Sequence, residues 1–460
     1  MFKKIVPLVL LSVTLFSCSN NEDDNYTNVI DLSERLYAGG ETTIFSENST
    51  AFRNPAPNIF GADLDLHMEG DAQFEQAFVT APATINNGLG SIFNNTSCIS
   101  CHPKDGRAAF PSNITNLSGL LLRASIPGTD SHGGPNPVPG FGTQIQNQSI
   151  FGTVPEARYQ VSFESKTETL ADGTTVTLRK PIITLIEAYI AFPGNGMLSP
   201  RIATPVFGLG LLEAIPESSL LTLQDINDSD GDGISGKANY VWDPTSNQLK
   251  IGRFGWKAGA PTVLVQCAAA YVDDMGVTNY VFPNEVGMSQ SNGQDGLNDD
   301  PEISDEILNQ VVYYCKTLAV PAPRNITNES VKRGAKIFEE ISCAKCHTPK
   351  QQTGFNSISA ISNQTIFPYS DLLLHDMGDD LADNRPDFLA SGTEWKTRPL
   401  WGIGLTRVVN GHTHFLHDGR ARNITEAILW HGGEGQQSKD KFKQLSTAKR
   451  NDLLAFINSL

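Results

Sequence analysis

The chain runs to 460 residues with a formal net charge of -16 at pH 7, 40 glycines, 26 prolines and seven cysteines. An excess of negative charge on this scale works against the phosphate backbone and excludes nucleic acid as a partner. The length is enough for roughly two to four domains, and the glycine and proline content favours long ordered loops around short helices.

Lys3 and Lys4 open the chain, and an apolar run follows from Ile5 to Phe16. The run is too short to span a bilayer but suits the core of a signal peptide. It ends in Leu15-Phe16-Ser17-Cys18, which resembles a bacterial lipobox, and that resemblance implies cleavage before Cys18 and lipidation of its thiol and new amine. Residues 1–18 are therefore expected to be a lipoprotein signal peptide, and 19–50 a flexible tether that starts polar and acidic (Glu22, Asp23, Asp24). Nothing later is apolar for the ~18 residues a spanning helix needs. The expected location is the bacterial cell envelope, facing the periplasm or the cell surface, with the membrane touched through the lipid anchor alone.

Cys98-Ile99-Ser100-Cys101-His102 is a Cys-x-x-Cys-His cassette, and Cys343-Ala344-Lys345-Cys346-His347 is a second. This is the attachment pattern of c-type haem. The two thiols add to the porphyrin vinyl groups, and the adjacent histidine becomes the proximal iron ligand. The approach also repeats, with Ile92-Phe93 and Ser97 before the first cassette matching Ile337-Phe338 and Ser342 before the second, and Gly90 and Gly334 further upstream. A pair of zinc clamps would not require the trailing histidine in both copies. The reading is a duplicated module holding two covalently bound haem c groups, each with a short helix leading into its cassette.

Between the cassettes, Thr115 to Phe151 reads as loop. Tyr159–Phe163 and Thr174–Leu178 alternate around Asp172-Gly173, which signals a hairpin. Arg201-Ile202-Ala203-Thr204-Pro205 onward is echoed by Arg398-Pro399-Leu400-Trp401 after the second cassette, so Arg201 and Arg398 are candidates for pairing with haem propionates as well as for ordinary surface positions. Asp228, Asp230 and Asp232, with Gly233 next, have the spacing of a calcium loop, although Asn239 stands where an EF-hand carries its bidentate glutamate. Cys267 and Cys315 lie in apolar, helix-like stretches and are either a disulfide or two buried thiols. Ser291 to Asp305 reads as a solvated acidic loop, and Val320-Pro321-Ala322-Pro323-Arg324 breaks the chain. The expected fold is mainly α, with one haem c domain over 51–320 carrying a small β-hairpin insertion and a second over 325–460.

The cassettes, Tyr369-Ser370-Asp371-Leu372-Leu373-Leu374-His375-Asp376-Met377-Gly378, His417-Asp418-Gly419-Arg420 and Trp430-His431-Gly432-Gly433-Glu434 together resemble the bacterial di-haem cytochrome c peroxidase superfamily, in particular its branch called di-haem or thiol oxidoreductases. The likeness extends over essentially residues 50–460. No redox cysteine pair stands behind the thiol label, because the cassettes use Cys98, Cys101, Cys343 and Cys346. The resemblance implies a distal ligand for the second haem a short helix after the Asp-Gly-Arg motif, and His431 holds that place, with Met377 as the alternative. His375, His412, His414 and His417 are the remaining histidines of this half. A bis-His iron has a lower potential than a His/Met one.

In the peroxidases the open face of the first haem carries a Gln and, ten residues later, a Glu that act on peroxide. Gln146 and Glu156 have that separation, with Ile150 where the family proline would stand, and Glu213 is a competing acid. His67 and His132 could instead close that iron. The resemblance adds that such proteins hold calcium near the domain interface. The leading expectation is an exported di-haem peroxidase-like oxidoreductase. It would take electrons from a partner protein through the bis-His haem and reduce peroxide at the first. A non-catalytic electron-transfer protein and a di-haem oxygenase are the alternatives.

Overall fold

The computed structural model describes Met1 and residues 29–460, apart from 112–117, 288, 289, 295 and 298. The expected signal peptide and Cys18 lie outside the described residues. Among the described residues no helix is long and apolar enough to cross a membrane.

The expectation of a mainly α fold is corrected: 29% of the chain is helical, 20% is strand, and the strands form many small sheets. Leu120–Thr129 pairs antiparallel with Met197–Ile202 and also with Pro135–Asn136 and Gln144–Ile145, making a four-stranded sheet with three of its strands inside the segment read as loop. The alternating burial of Leu120, Leu122 and Ala124 is a strand pattern, but its main partner lies far along the chain. The hairpin is much longer than expected. Arg158–Thr169 and Thr175–Ile186 pair over their full lengths, from Arg158 with Ile186 to Thr169 with Thr175.

That hairpin reaches across to the C-terminal helices. Leu170 near its tip is buried, Asp172 accepts from Thr447 Oγ1 at 2.7 Å and pairs with Arg450, and Glu168 pairs with Lys443 at 2.6 Å.

Helix caps follow the local sequence. The Thr262, Ser304, Asn328, Asn423 and Ser446 side chains each accept a backbone N–H at a helix start, as short polar side chains do. Ala62–Glu75 crosses Asp305–Thr317, and Glu329–Glu340 crosses Thr447–Ser459. Each crossing is tight at a glycine. A Cβ on Gly70 would stand 2.2 Å from the Gln310 carbonyl oxygen, and one on Gly334 would stand 2.0 Å from that of Asp452. By packing, Gly334 therefore corresponds to Gly70 and not to Gly90. The Glu329–Glu340 helix does run into the second cassette, whereas the first is approached by the strand Ile92–Phe93, paired with Gln148–Ser149.

The expected tether ends in ordered structure. Leu32 is buried, and Thr43–Ile44 pairs in parallel with Val320–Pro321, so the proline-rich break is itself an edge-to-edge contact in the core. Both large apolar clusters draw on each side of that break. One joins Phe207, Tyr271 and Tyr314 to Leu372 and Trp401, and the other joins Leu120, Ile145 and Leu178 to Phe338 and Phe456.

Candidate haem and active site

Both cassettes line one cavity of about 840 Å3, to which Cys98, Cys101, His102, Cys343, Cys346 and His347 all contribute. Cys98–Cys101 forms a single helical turn and Cys343–Lys345 a tighter 3-10 turn, so each histidine follows its thiols on one compact bend, with His102 N donating to Cys98 O and His347 N to Cys343 O. None of the four cassette cysteines is in a disulfide, and burial pushes the thiols of Cys101 and Cys343 up to about 12.

The two histidines share a geometry. His102 Nδ1 lies 2.6 Å from Thr204 O, and His347 Nδ1 lies 3.1 Å from Tyr369 O. A carbonyl can only accept, so Nδ1 carries the proton and Nε2 keeps its lone pair for a metal. Burial holds both rings near pKa 4 and therefore neutral, with the nearby His431 pushing His347 in the same direction.

His431 repeats the pattern a third time. It follows the Ile424–Trp430 helix, whose start is capped by Asn423, and its Nδ1 donates to Ala427 O at 2.8 Å. It lines the cavity, and burial lowers its pKa. A Cβ on Gly435 would touch both His431 Cδ2 and Met377 Cε at 3.2 Å, so the two expected ligands reach the same spot.

The remaining histidines are occupied otherwise. His375 is gripped at both nitrogens, by Asp371 Oδ2 at 2.8 Å and Glu434 Oε2 at 2.6 Å. His417 stacks on Trp395 with centroids 3.9 Å apart and planes at 12°. His412 Nε2 donates to Arg107 O at 3.1 Å, and His414 Nδ1 accepts from Phe110 N at 2.8 Å. His67 is buried with Nδ1 donating to Thr317 Oγ1 at 2.8 Å, so its Nδ1 is tethered as in His102, but it does not line the cavity; His132 lines the cavity but is exposed and stacked on Trp242.

The cationic side chains sort differently from expectation. Arg201 has its charge paired within the protein, with Asp387 at 2.9 Å and Asp383 at 3.7 Å, although its Nη2 finds no hydrogen-bond partner. Arg398 has no carboxylate within ion-pair distance among the described residues, and its Nε finds no hydrogen-bond partner. Arg107 is in the same position, with Nε and Nη1 unpaired, and sequence reasoning passed it over. Both line the cavity, and burial lowers Arg398 to about 10 and Arg107 to about 9, with Arg398 also depressing Arg107. Buried guanidinium groups without a counter-ion are costly. Here they are what a group bearing carboxylates inside the cavity would need, so the residues present fit haem and its propionates.

The expected acids lie off the cavity wall. Glu156 is buried, with Oε2 accepting from Gln146 N at 2.6 Å and Oε1 from Gln290 at 2.9 Å, and Gln146 Nε2 donates to Asp273 O at 2.7 Å. Glu213 caps the Val263–Met275 helix through Val263 N at 2.5 Å and pairs with Lys316 at 2.6 Å. Neither glutamate nor Gln146 lines the cavity. The carboxylates that do so beside the first cassette are Asp273, paired with Arg123 at 2.6 Å, and Asp274, which accepts from Gln144 Nε2 at 2.8 Å. The Asp274 carbonyl also anchors Asn95 N, and Asn95 Nδ2 donates to Cys101 Sγ at 3.2 Å. Burial raises Asp274 to about 6 against the opposing pull of Arg123. One signal was available in the sequence: two acids end an otherwise apolar helix, where the helix dipole disfavours them.

In the expected calcium loop the acids within reach of one ion are Asp225, Asp228 and Asp230, whereas Asp232 turns to Lys345 at 2.9 Å. Cys267 and Cys315 are neighbouring free thiols.

A family model described as "Di-haem oxidoreductase, putative peroxidase" matches residues 33–460. The cavity, its two cassettes and this match define the class, and the chain belongs to that di-haem oxidoreductase family. Comparison with curated proteins finds no match.

Proposed function

We propose that this protein is an exported, lipid-anchored c-type di-haem peroxidase. The haems would be attached through Cys98/Cys101 and Cys343/Cys346. His102 and His347 would hold the two haem irons, and His431 would offer a further nitrogen to the second. The observation that carries this reading is the pair of neutral histidines, each with Nδ1 bound to a carbonyl, in one cavity with the orphaned guanidinium groups of Arg107 and Arg398. Bound haem would supply redox-active iron for peroxide chemistry, with a partner protein as electron donor. Arg107 and Arg398 neutralise propionates. Asp274, raised to about 6 on the wall beside the first cassette, can take up and release a proton in the mildly acidic range, as peroxide reduction requires of a nearby acid. A calcium ion would sit on Asp225, Asp228 and Asp230, not on the trio suggested by spacing.

The alternative of a closed electron-transfer pair needs a sixth ligand for the first haem; His67 lies off the cavity wall, and His132, though it lines the cavity, is exposed and stacked on Trp242, which does not favour that reading. The test is EPR of the oxidised protein, produced with cytochrome c maturation, before and after stoichiometric peroxide. One high-spin and one low-spin ferric signal, with the high-spin one changed by peroxide, supports the enzyme. Two low-spin signals indifferent to peroxide in both the oxidised and half-reduced protein would replace it with the electron-transfer reading.

A further inference from the structure

We propose that Asp371, His375 and Glu434 form a charged bracket on the Cys346 sulfur that sets the reduction potential of the second haem. The proposal rests on the di-haem reading above. His375 is 3% exposed, and both of its ring nitrogens meet carboxylates, Nε2 with Asp371 Oδ2 at 2.8 Å and Nδ1 with Glu434 Oε2 at 2.6 Å. Ionised carboxylates only accept, so both nitrogens donate and the ring is an imidazolium. Burial by itself would lower its pKa, but the bonds to Asp371, Cys346 and Glu434 outweigh that and hold it well above the usual range. Two anions around one cation leave the bracket with one net negative charge.

The bracket is placed against the cofactor site. His375 Nδ1 lies 3.5 Å from Cys346 Sγ, and His375 and Glu434 both line the cavity. The Nδ1 hydrogen is given to Glu434, so the approach to Cys346 Sγ is a through-space contact that does not depend on the thiol proton.

The bracket is also rigid. Asp371 Oδ1 accepts from Leu373 N at 2.9 Å, and Glu434 accepts from Ser235 Oγ at 2.6 Å, Ser235 N at 3.1 Å and Asp376 N at 3.2 Å. His375 belongs to the strand Leu374–Asp376, paired with Glu394–Lys396. Gly236, at φ +58°, brings the acidic loop so close that a Cβ there would stand 3.0 Å from His375 Cε1. The lysines on this side are paired, Lys237 with Glu394 at 2.7 Å and Lys345 with Asp232, and the Asp376 carboxylate accepts from Gly378 N at 2.7 Å.

A fixed net anion in a low-dielectric site favours the ferric over the ferrous state, which carries one positive charge less. A simple brace would hold Cys346 in place without affecting that equilibrium. The two roles separate in a spectroelectrochemical titration of the loaded protein, where the first haem serves as internal reference.

Glu434→Gln and Asp371→Asn each remove a negative charge with little change of shape. Both are expected to raise the midpoint of the second haem while leaving that of the first and the low-spin spectrum in place. Ser235→Ala breaks the loop contact without changing charge and is expected to move neither midpoint. An unchanged second midpoint in both carboxamide variants, or failure of both to assemble, would reduce the bracket to a brace and overturn the proposal. Absence of a second redox-active haem in the unmodified protein would instead sink the di-haem reading.

Discussion

Gly334 packs against Asp452 so closely that a Cβ would stand 2.0 Å from the Asp452 carbonyl oxygen. The obstacle is helix backbone, which cannot give way without separating Glu329–Glu340 from Thr447–Ser459. Gly334→Ala gains about 1 kcal/mol of helix propensity, but overpacking costs about 1–3 kcal/mol or more. The expected outcome is a net loss of stability, measured as a lower melting temperature. Gly70→Ala should behave alike at the matching crossing. A stabilised Gly334→Ala would mean that the helices are further apart than described.

His431 and Met377 reach the same spot, but only His431 has its Nδ1 fixed by a carbonyl. His431→Ala is expected to convert the second haem from low to high spin by EPR, and Met377→Ala to leave the spectrum low spin. The reverse pattern would transfer the ligand role to Met377.

Arg398 is a buried cation whose counter-ion must come from the cavity. Arg398→Met should therefore change sign with loading. Before haem attachment it removes an uncompensated charge and stabilises the chain. After attachment it leaves a propionate unpaired and destabilises it by about 1–3 kcal/mol. Thermal melts of both forms would reveal this, and one sign in both would assign Arg398 a purely structural role.

Burial raises Glu156 from 4.5 to about 8, against the hydrogen bonds from Gln146 and Gln290. The folded state therefore holds a proton that the unfolded chain releases, and stability from this group is fully present below about pH 4.5 and is lost as pH rises towards 8. The slope is at most about 1.4 kcal/mol per pH unit. Glu156→Gln should flatten the denaturation midpoint across that window. A slope that survives the substitution would place its origin elsewhere.

Asp274 is raised to about 6, chiefly by burial. If it handles the peroxide proton, activity should decline as pH rises through that value, and Asp274→Asn should abolish the limb while lowering kcat more than it alters KM. An unchanged profile would return the role to another group.

Much of the cofactor site was legible because it is local. Cys98 to His102 and Cys343 to His347 each need a single turn of chain, and His431 needs only the short helix before it, so neighbouring residues bring the chemistry together whatever the rest of the fold does. The hairpin tip at Asp172-Gly173 was readable for the same reason, although the full length of its strands was not.

What the sequence determined by itself is therefore the two Cys-x-x-Cys-His cassettes and the family. Tertiary structure decided which charges answer which. Arg201 and Arg398 looked equivalent in their repeated segments, yet Asp387 neutralises Arg201 and no carboxylate among the described residues neutralises Arg398. Gln146 and Glu156 had the expected spacing, but the chain folds them behind the wall that Asp273 and Asp274 present to the cavity. His375 looked like a possible ligand until Glu434, far along the chain, took its Nδ1. Local spacing fixes covalent chemistry, whereas the charge and exposure of a buried group depend on partners brought from remote segments, and no window of sequence contains both.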